Sequence, residues 1–192
     1  GMSTGIGIDA VDVAGTWVGR SALDDRLLVR AQYHNLGVVM GGKVAPSATA
    51  MAYTVGPGTD PVSVGVGSRS GADGASLFVI PHGTVATTAA PASGARIDVI
   101  WAKQNDPSKG DADNQSVLGI TPGTANAAPT VPAIPAGAVT LAQYRVGANI
   151  TTTSAATLVR VGDYAIPYGA SLGALYTFQD LSNSAIPAGV TP

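Results

Sequence analysis

The stretch Arg96-Ile97-Asp98-Val99-Ile100-Trp101-Ala102 has the alternation of a β-strand. Successive side chains of a strand point to opposite sides, so Ile97, Val99 and Trp101 share one face and the two charged residues share the other. This is the clearest strand of the chain.

Seven further segments have strand character and end in turn signals such as Gly56-Pro57-Gly58. They lie at about 51–55, 62–66, 77–80, 116–120, 140–146, 157–161 and 174–178. Many short strands separated by turns are typical of all-β sandwiches and barrels. We therefore expect a mainly β fold, an antiparallel sandwich or barrel-like body of short strands.

One segment near the start has the pattern of a helix. Ser21 and Asp24 fit a capping box, in which each side chain reaches an unpaired backbone N–H. The apolar residues that recur every fourth position are Leu23, Leu27 and Ala31. We predict one N-terminal helix at about 21–33, ended by a left-handed residue in Asn35-Leu36-Gly37. Its apolar stripe fits either a bundle around a threefold axis or packing on the chain's own sheet.

These patterns suggest three regions. Residues 1–20 form an N-terminal arm, in which Gly1 before Met2 is typical of a tag-cleavage scar. Residues 21–146 form the helix and a β-rich body, with a proline-rich surface loop at 121–137. Residues 147–192 form closing strands or a small C-terminal lobe.

Composition excludes several classes of protein. The 192 residues include 10 Lys or Arg and 12 Asp or Glu, so charged residues make up 11%, against about 25% in average proteins. A mean hydropathy of +0.26 indicates a folded chain. The net charge of −2 argues against nucleic-acid binding. No apolar run is long enough to span a membrane, and no cysteine is available for disulfides or thiol chemistry. The first residues lack a basic and then apolar pattern, so we do not expect them to be a secretory signal.

No catalytic constellation stands out. His34 and His82 are far apart in sequence and no G-x-S-x-G elbow accompanies them, so we expect structural or surface roles. The glycines of 65–71 superficially resemble a dinucleotide loop, but their spacing differs and no helix pattern follows, which favours a turn. We predict no enzyme activity and no catalytic, cofactor-binding or metal residues.

Two loops contain patterns that also occur in functional sites. The loop with Asp106, Asp111, Asp113 and Asn114 offers oxygen ligands for Ca²⁺ but lacks the spacing of a helix–loop–helix site, so we expect a solvated hairpin loop. Asn149-Ile150-Thr151 matches a glycosylation acceptor, which matters only in a eukaryotic secretory pathway.

Two pairs of side chains leave alternatives open. Arg96 and Asp98 are two residues apart on one strand face, so they form either an edge ion pair or a buried pair that orients the strand. Trp17 and Trp101 are aromatics that can stack on a sugar ring. Alternation with Ile97 and Val99 favours core packing for Trp101, whereas the exposure of Trp17 is open.

Three longer patterns follow one another along the chain. The first pattern consists of residues 21–28 together with 37–39 and 51–55. The second is 89–102, in which Arg-Ile-Asp precedes two hydrophobic residues and after which an Asp-rich loop follows. The third is the proline-rich passage 119–142. In this order they resemble the N-terminal, shoulder regions of tail-associated structural proteins of phages and prophages from Gram-positive, especially actinobacterial, hosts.

The resemblance implies a virion structural protein of the tail tip, baseplate or tail fibre, acting in assembly and host attachment. Such proteins are often trimeric, so it implies a homotrimer located in the tail and assembled in the bacterial cytoplasm. Its partners would be other phage tail proteins, with a host cell-surface glycan as a further candidate.

The alternative from the residues is a carbohydrate-binding β-sandwich module on a bacterial surface. It predicts an exposed aromatic such as Trp17 over a groove with Asp and Asn side chains. A polysaccharide hydrolase is disfavoured, because no recognised spacing of paired carboxylates occurs.

Overall fold

A computed structural model describes residues 11–13, 16–18, 21–58 and 62–168. These ranges contain one α-helix, α1 (Ala22–Gln32), and fourteen strands. The strands are β1 (Val11–Val13), β2 (Thr16–Val18), β3 (Tyr33–Asn35), β4 (Gly37–Met40), β5 (Val44–Pro46), β6 (Ala52–Val55), β7 (Val64–Gly67), β8 (Ser76–Val79), β9 (Gly83–Ala86), β10 (Ala95–Gln104), β11 (Ser116–Pro122), β12 (Val139–Gly147), β13 (Thr157–Val161) and β14 (Ile166–Pro167). Short 3₁₀ turns are Gly71–Asp73, Pro107–Lys109 and Thr153–Ala155.

The largest sheet has four strands in the order β11-β10-β12-β13. Two three-stranded sheets, β4-β7-β8 and β5-β6-β9, and two ribbons, β1-β2 and β14-β3, make up the rest of the described strands. Every strand ladder is antiparallel. The prediction of a mainly β, antiparallel fold with one N-terminal helix is confirmed, in the form of a sandwich-like body and not a closed barrel.

The main core lies between the four-stranded sheet and the two three-stranded sheets. Tyr53 of β6 and Ile80, which directly follows β8, share this core with Ile100 and Leu141 of the large sheet, and all four are buried. The rings of Tyr53 and Tyr144 pack with their centroids 4.8 Å apart. Burial of these side chains provides the main driving force for folding.

Most predicted strands match observed ones within two residues. The stretch 96–102 lies in β10, which is central because it pairs with β11 on one side and β12 on the other. The predicted strands at 51–55, 77–80, 140–146 and 157–161 correspond to β6, β8, β12 and β13. The strand predicted at 174–178 lies outside the described residues.

Helix α1 begins as predicted and ends differently. The Ser21 Oγ accepts a hydrogen bond from the Asp24 N–H at 3.2 Å, and the Asp24 carboxylate accepts one from the Ser21 N–H at 2.9 Å. The expected left-handed end in 35–37 is wrong: Tyr33 is already extended and starts β3. Tyr33 is buried in a small apolar cluster, so tertiary packing ends the helix before the sequence signal.

The helix contacts the body through the side opposite its predicted apolar stripe. Val29 packs against the small apolar cluster that contains Tyr33 and Val66. By contrast, Leu23 and Leu27 remain 41% and 43% exposed, and Ala31 is also exposed. At 3.6 residues per turn, Val29 lies about 200° around the helix from this stripe. The apolar stripe therefore does not pack on the chain's own sheet.

The segment after β12 returns to the body. The Gly162 N–H donates to the Leu141 carbonyl at 2.8 Å, and the Val38 N–H donates to the Asp163 carbonyl at 2.7 Å. Strand β14 then pairs with β3. Through residue 168, the C-terminal region thus joins the same sheets, and the rest of the predicted region 147–192 lies outside the described residues. Of the predicted arm 1–20, the described parts form β1 and β2.

Candidate functional site

Arg96 and Asp98 form a buried ion pair on the central strand. The Arg96 Nε lies 2.7 Å from an Asp98 oxygen, and Asp98 also accepts from the Thr87 hydroxyl at 2.6 Å. The guanidinium donates to the Thr88 and Ala89 carbonyls at 2.7 and 2.6 Å. The edge-pair alternative is wrong, because β10 is flanked on both sides. The pair fixes the segment that connects β9 to β10.

The sequence led us to expect that the aspartate-rich loop is a solvated hairpin loop. In the structure, basic side chains form ion pairs with this loop. Asp111 contacts the Lys103 ammonium at 2.7 Å and the Arg69 guanidinium. The Asp111 oxygen that faces Arg69 also accepts from the Asp106 N–H at 2.7 Å. Asp113 stays at the surface, where the Asn105 amide donates to it at 2.9 Å and lowers the pKa of that carboxyl. Asp111 is thus a structural anchor whose charge is already balanced.

A second set of ionic contacts joins this loop to α1 and to the 3₁₀ turn Gly71–Asp73. Lys109 pairs with Asp73 at 2.6 Å, and the Lys109 ammonium and then the Ser70 hydroxyl lower the pKa of the Asp73 carboxyl. The Arg26 Nε donates to the Asp73 carbonyl at 2.9 Å, and Arg26 lies 4.0 Å from Asp106. Sequence reasoning missed this cluster because its partners are far apart along the chain.

Two clefts of the described body are small. One beside Arg26, Arg69 and Asp106 has a volume of about 30 Å³, which suits a water molecule. Another beside Ile134, Thr140 and Asp163 has about 230 Å³, below the roughly 300–1,000 Å³ of most small-molecule sites. Among the described residues no group of three His, Cys, Asp or Glu side chains is placed to hold a metal ion.

The two histidines lie in different surroundings. His34 packs edge-on against Tyr168, with ring centroids 5.7 Å apart. The His82 Nε2 lies 2.9 Å from the Ser63 Oγ, and that oxygen accepts a hydrogen bond from the Gly42 N–H at 2.8 Å. Ser63 is fully buried, so this serine–histidine contact offers no hydroxyl that a substrate can reach.

The remaining sequence candidates have structural surroundings. Trp101 is half-buried, and its indole N–H donates to the Thr121 hydroxyl at 2.9 Å. The glycines of 65–71 belong to β7 and the 3₁₀ turn after it, as the turn interpretation requires. Asn149 is exposed in a left-handed conformation. Trp17 lies in β2, and its side chain is outside the described part.

One face of the sheet β4-β7-β8 is apolar and only partly covered. Met40, Val64 and Val79 are cross-strand partners, and we call these three residues the outer row. Val79 neighbours the buried Phe78 and Ile80, so the row points away from the core. Met40 is 48% exposed and Val79 is 61% exposed.

Comparison of the chain with protein-family models, with curated proteins and with solved structures returned no match. No helix in the described ranges has the length and apolar character that crossing a bilayer requires.

Proposed function

We propose that this protein is a non-enzymatic structural component of a phage or prophage tail, at the tail tip, baseplate or fibre, which acts as a homotrimer in assembly and host attachment. The observation that supports it most directly is the outward-facing stripe of α1. We call Leu23, Leu27 and Ala31 the helix stripe. All three are exposed, while the opposite side of the helix packs on the body.

An exposed apolar helix stripe is a feature of chains that assemble. A surface helix of a monomer turns its apolar side to the core, because burial of that side stabilises the fold. Here Leu23 and Leu27 stay more than 40% exposed on a helix that is already docked. Contiguous exposed apolar surface marks interaction sites, and the threefold symmetry follows the resemblance to tail proteins.

The ionic cluster fits a structural role as well. Lys109, Asp73 and Arg26 join the aspartate-rich loop to α1 at partly covered positions. Networks of this kind fix the placement of an element on a body. A helix held in this way presents its stripe in a defined direction, which a symmetric assembly requires.

A carbohydrate-binding module is the second candidate, and exposed tyrosines favour it. Tyr164 and Tyr168 expose 56% and 51% of their surface, and aromatic rings of this kind stack on sugars. Binding to cell-wall polysaccharide that is lost in Tyr164→Ala or Tyr168→Ala, with a monomer in solution, would support this candidate over the tail protein.

The test of the proposed function is the location of the protein in particles. Prophage induction in the bacterium that carries the gene, followed by gold labelling with a specific antibody, should mark tails at one fixed position. Quantitative mass spectrometry of purified particles should give a copy number divisible by three. Recovery of the protein only outside particles would refute the proposal.

A further inference from the structure

The outer row is the uncovered half of a face whose other half is already buried. Val66 lies two residues from Val64 on β7, so both point to the same side of the sheet. Val66 is fully buried in a cluster with Tyr33, and Val29 of α1 packs against that cluster. The outer row begins where this cover ends. The same face therefore accepts an apolar helix at one position and is bare at the next.

The bare half carries no charge. Met40, Val64 and Val79 are apolar, as is Leu77, which pairs with Val66 and is 51% exposed. An uncharged apolar patch is more typical of interfaces between copies of one chain than of transient contacts, which are about as polar as the rest of the surface. It therefore favours a second copy of this chain as the occupant.

This chain also has an element of matching chemistry that it does not use. The helix stripe is apolar, exposed and turned away from its own sheet. Within one chain α1 faces the body with its Val29 side, so the stripe points away from the body. A second copy can place its stripe on the outer row, and that contact would repeat the packing of α1 against the cluster that contains Val66.

We propose that the helix stripe of one copy packs on the outer row of the next, so that the homotrimer closes through three identical contacts of helix on sheet. The two surfaces differ, so the interface is heterologous, and heterologous contacts close into rings when the rotation fits. This inference rests on the proposed function, since it names the partner and the contact surface of that assembly.

The test uses charge substitutions at exposed positions. Leu27→Asp introduces a negative charge in the helix stripe, and Val79→Lys introduces a positive charge in the outer row. Val159→Lys on β13 is the matched control, because Val159 is 49% exposed and outside both surfaces. Light scattering across a dilution series gives the solution mass, and circular dichroism with thermal melting shows that each variant is folded.

The wild type and Val159→Lys should be trimers, whereas each of the other single variants should raise the dissociation constant at least about 100-fold. The double variant Leu27→Asp/Val79→Lys should regain most of the affinity, because each interface then contains one opposite-charge pair. A row-on-row contact would place two lysines together and show no rescue.

Other outcomes separate the two proposals. A trimer that Leu27→Asp disrupts and Val79→Lys leaves intact would overturn this inference and keep the proposed function, with α1 in a central bundle. A trimer that only Val159→Lys disrupts would place the interface at the β13 edge and also overturn it. A monomer at every concentration, together with absence from tail particles, would overturn both.

Discussion

Asp98→Asn should be among the most destabilising conservative substitutions in this protein. Asp98 is fully buried and accepts from the Arg96 Nε at 2.7 Å and from Thr87 at 2.6 Å. The amide keeps the shape and removes the charge, so the buried guanidinium loses its counter-ion. Breaking a buried pair from one side costs about 3–5 kcal/mol. Because the carbonyls of Thr88 and Ala89 still accept hydrogen bonds from Arg96, we expect the free energy of unfolding to fall by about 3 kcal/mol.

Urea unfolding followed by circular dichroism measures this loss from the shift in midpoint at constant slope. Asp163→Asn is the control, because its pair with Arg160 is about half exposed and should contribute about 0–1 kcal/mol. The double variant Arg96→Met/Asp98→Leu should cost less than Asp98→Asn alone, since no buried charge is left unpaired. Equal, small losses for Asp98→Asn and Asp163→Asn would refute the reasoning.

Three further outcomes follow from the core. Tyr53→Phe should leave stability unchanged or raise it by about 1 kcal/mol in urea unfolding, because the buried Tyr53 hydroxyl has no hydrogen-bond partner among the described residues. A loss of stability above that amount would contradict this. Burial raises the pKa of Tyr53 and Tyr144 above 10.0, so the unfolded chain loses these protons first and stability should fall as the pH rises above about 10; a flat alkaline profile would be inconsistent with it. Gly119→Ala places a Cβ 2.1 Å from Trp101 and should cost about 1–3 kcal/mol in thermal unfolding. Gly147→Ala should be nearly neutral, because within the described part of the chain its Cβ meets no atom within 4 Å beyond its two chain neighbours.

Local patterns predicted the elements that depend on local physics. The start of α1 was predictable because Ser21 and Asp24 satisfy each other's backbone within one turn. Strand β10 was predictable because its apolar and charged residues alternate, which indicates two chemically different faces. The helix end was not, since Tyr33 leaves the helix to enter a cluster with Val66 and Ala165, which are distant in sequence.

The candidate surfaces were less predictable for the same reason. The helix stripe was visible as a pattern, but which side of α1 faces the body depends on Val29 and its partners in other strands. The contact between Asp111 and Arg69 was not predictable either, because the two residues are far apart in the sequence. The sequence pattern of a strand indicates that one of its faces is apolar, but it does not show which strands lie side by side. The register of β4, β7 and β8 is needed to show that Met40 and Val79 lie in one row.

The β3–β14 ribbon has a mechanical consequence. Tyr33 at the start of β3 is opposite Pro167 at the end of β14, so the chain enters and leaves this ribbon at the same end. Tension applied through residues 21 and 168 pulls the two strands apart along their hydrogen bonds, which lie perpendicular to the strands, and breaks them one after another. Under stretch this two-residue ribbon should therefore unzip at low force.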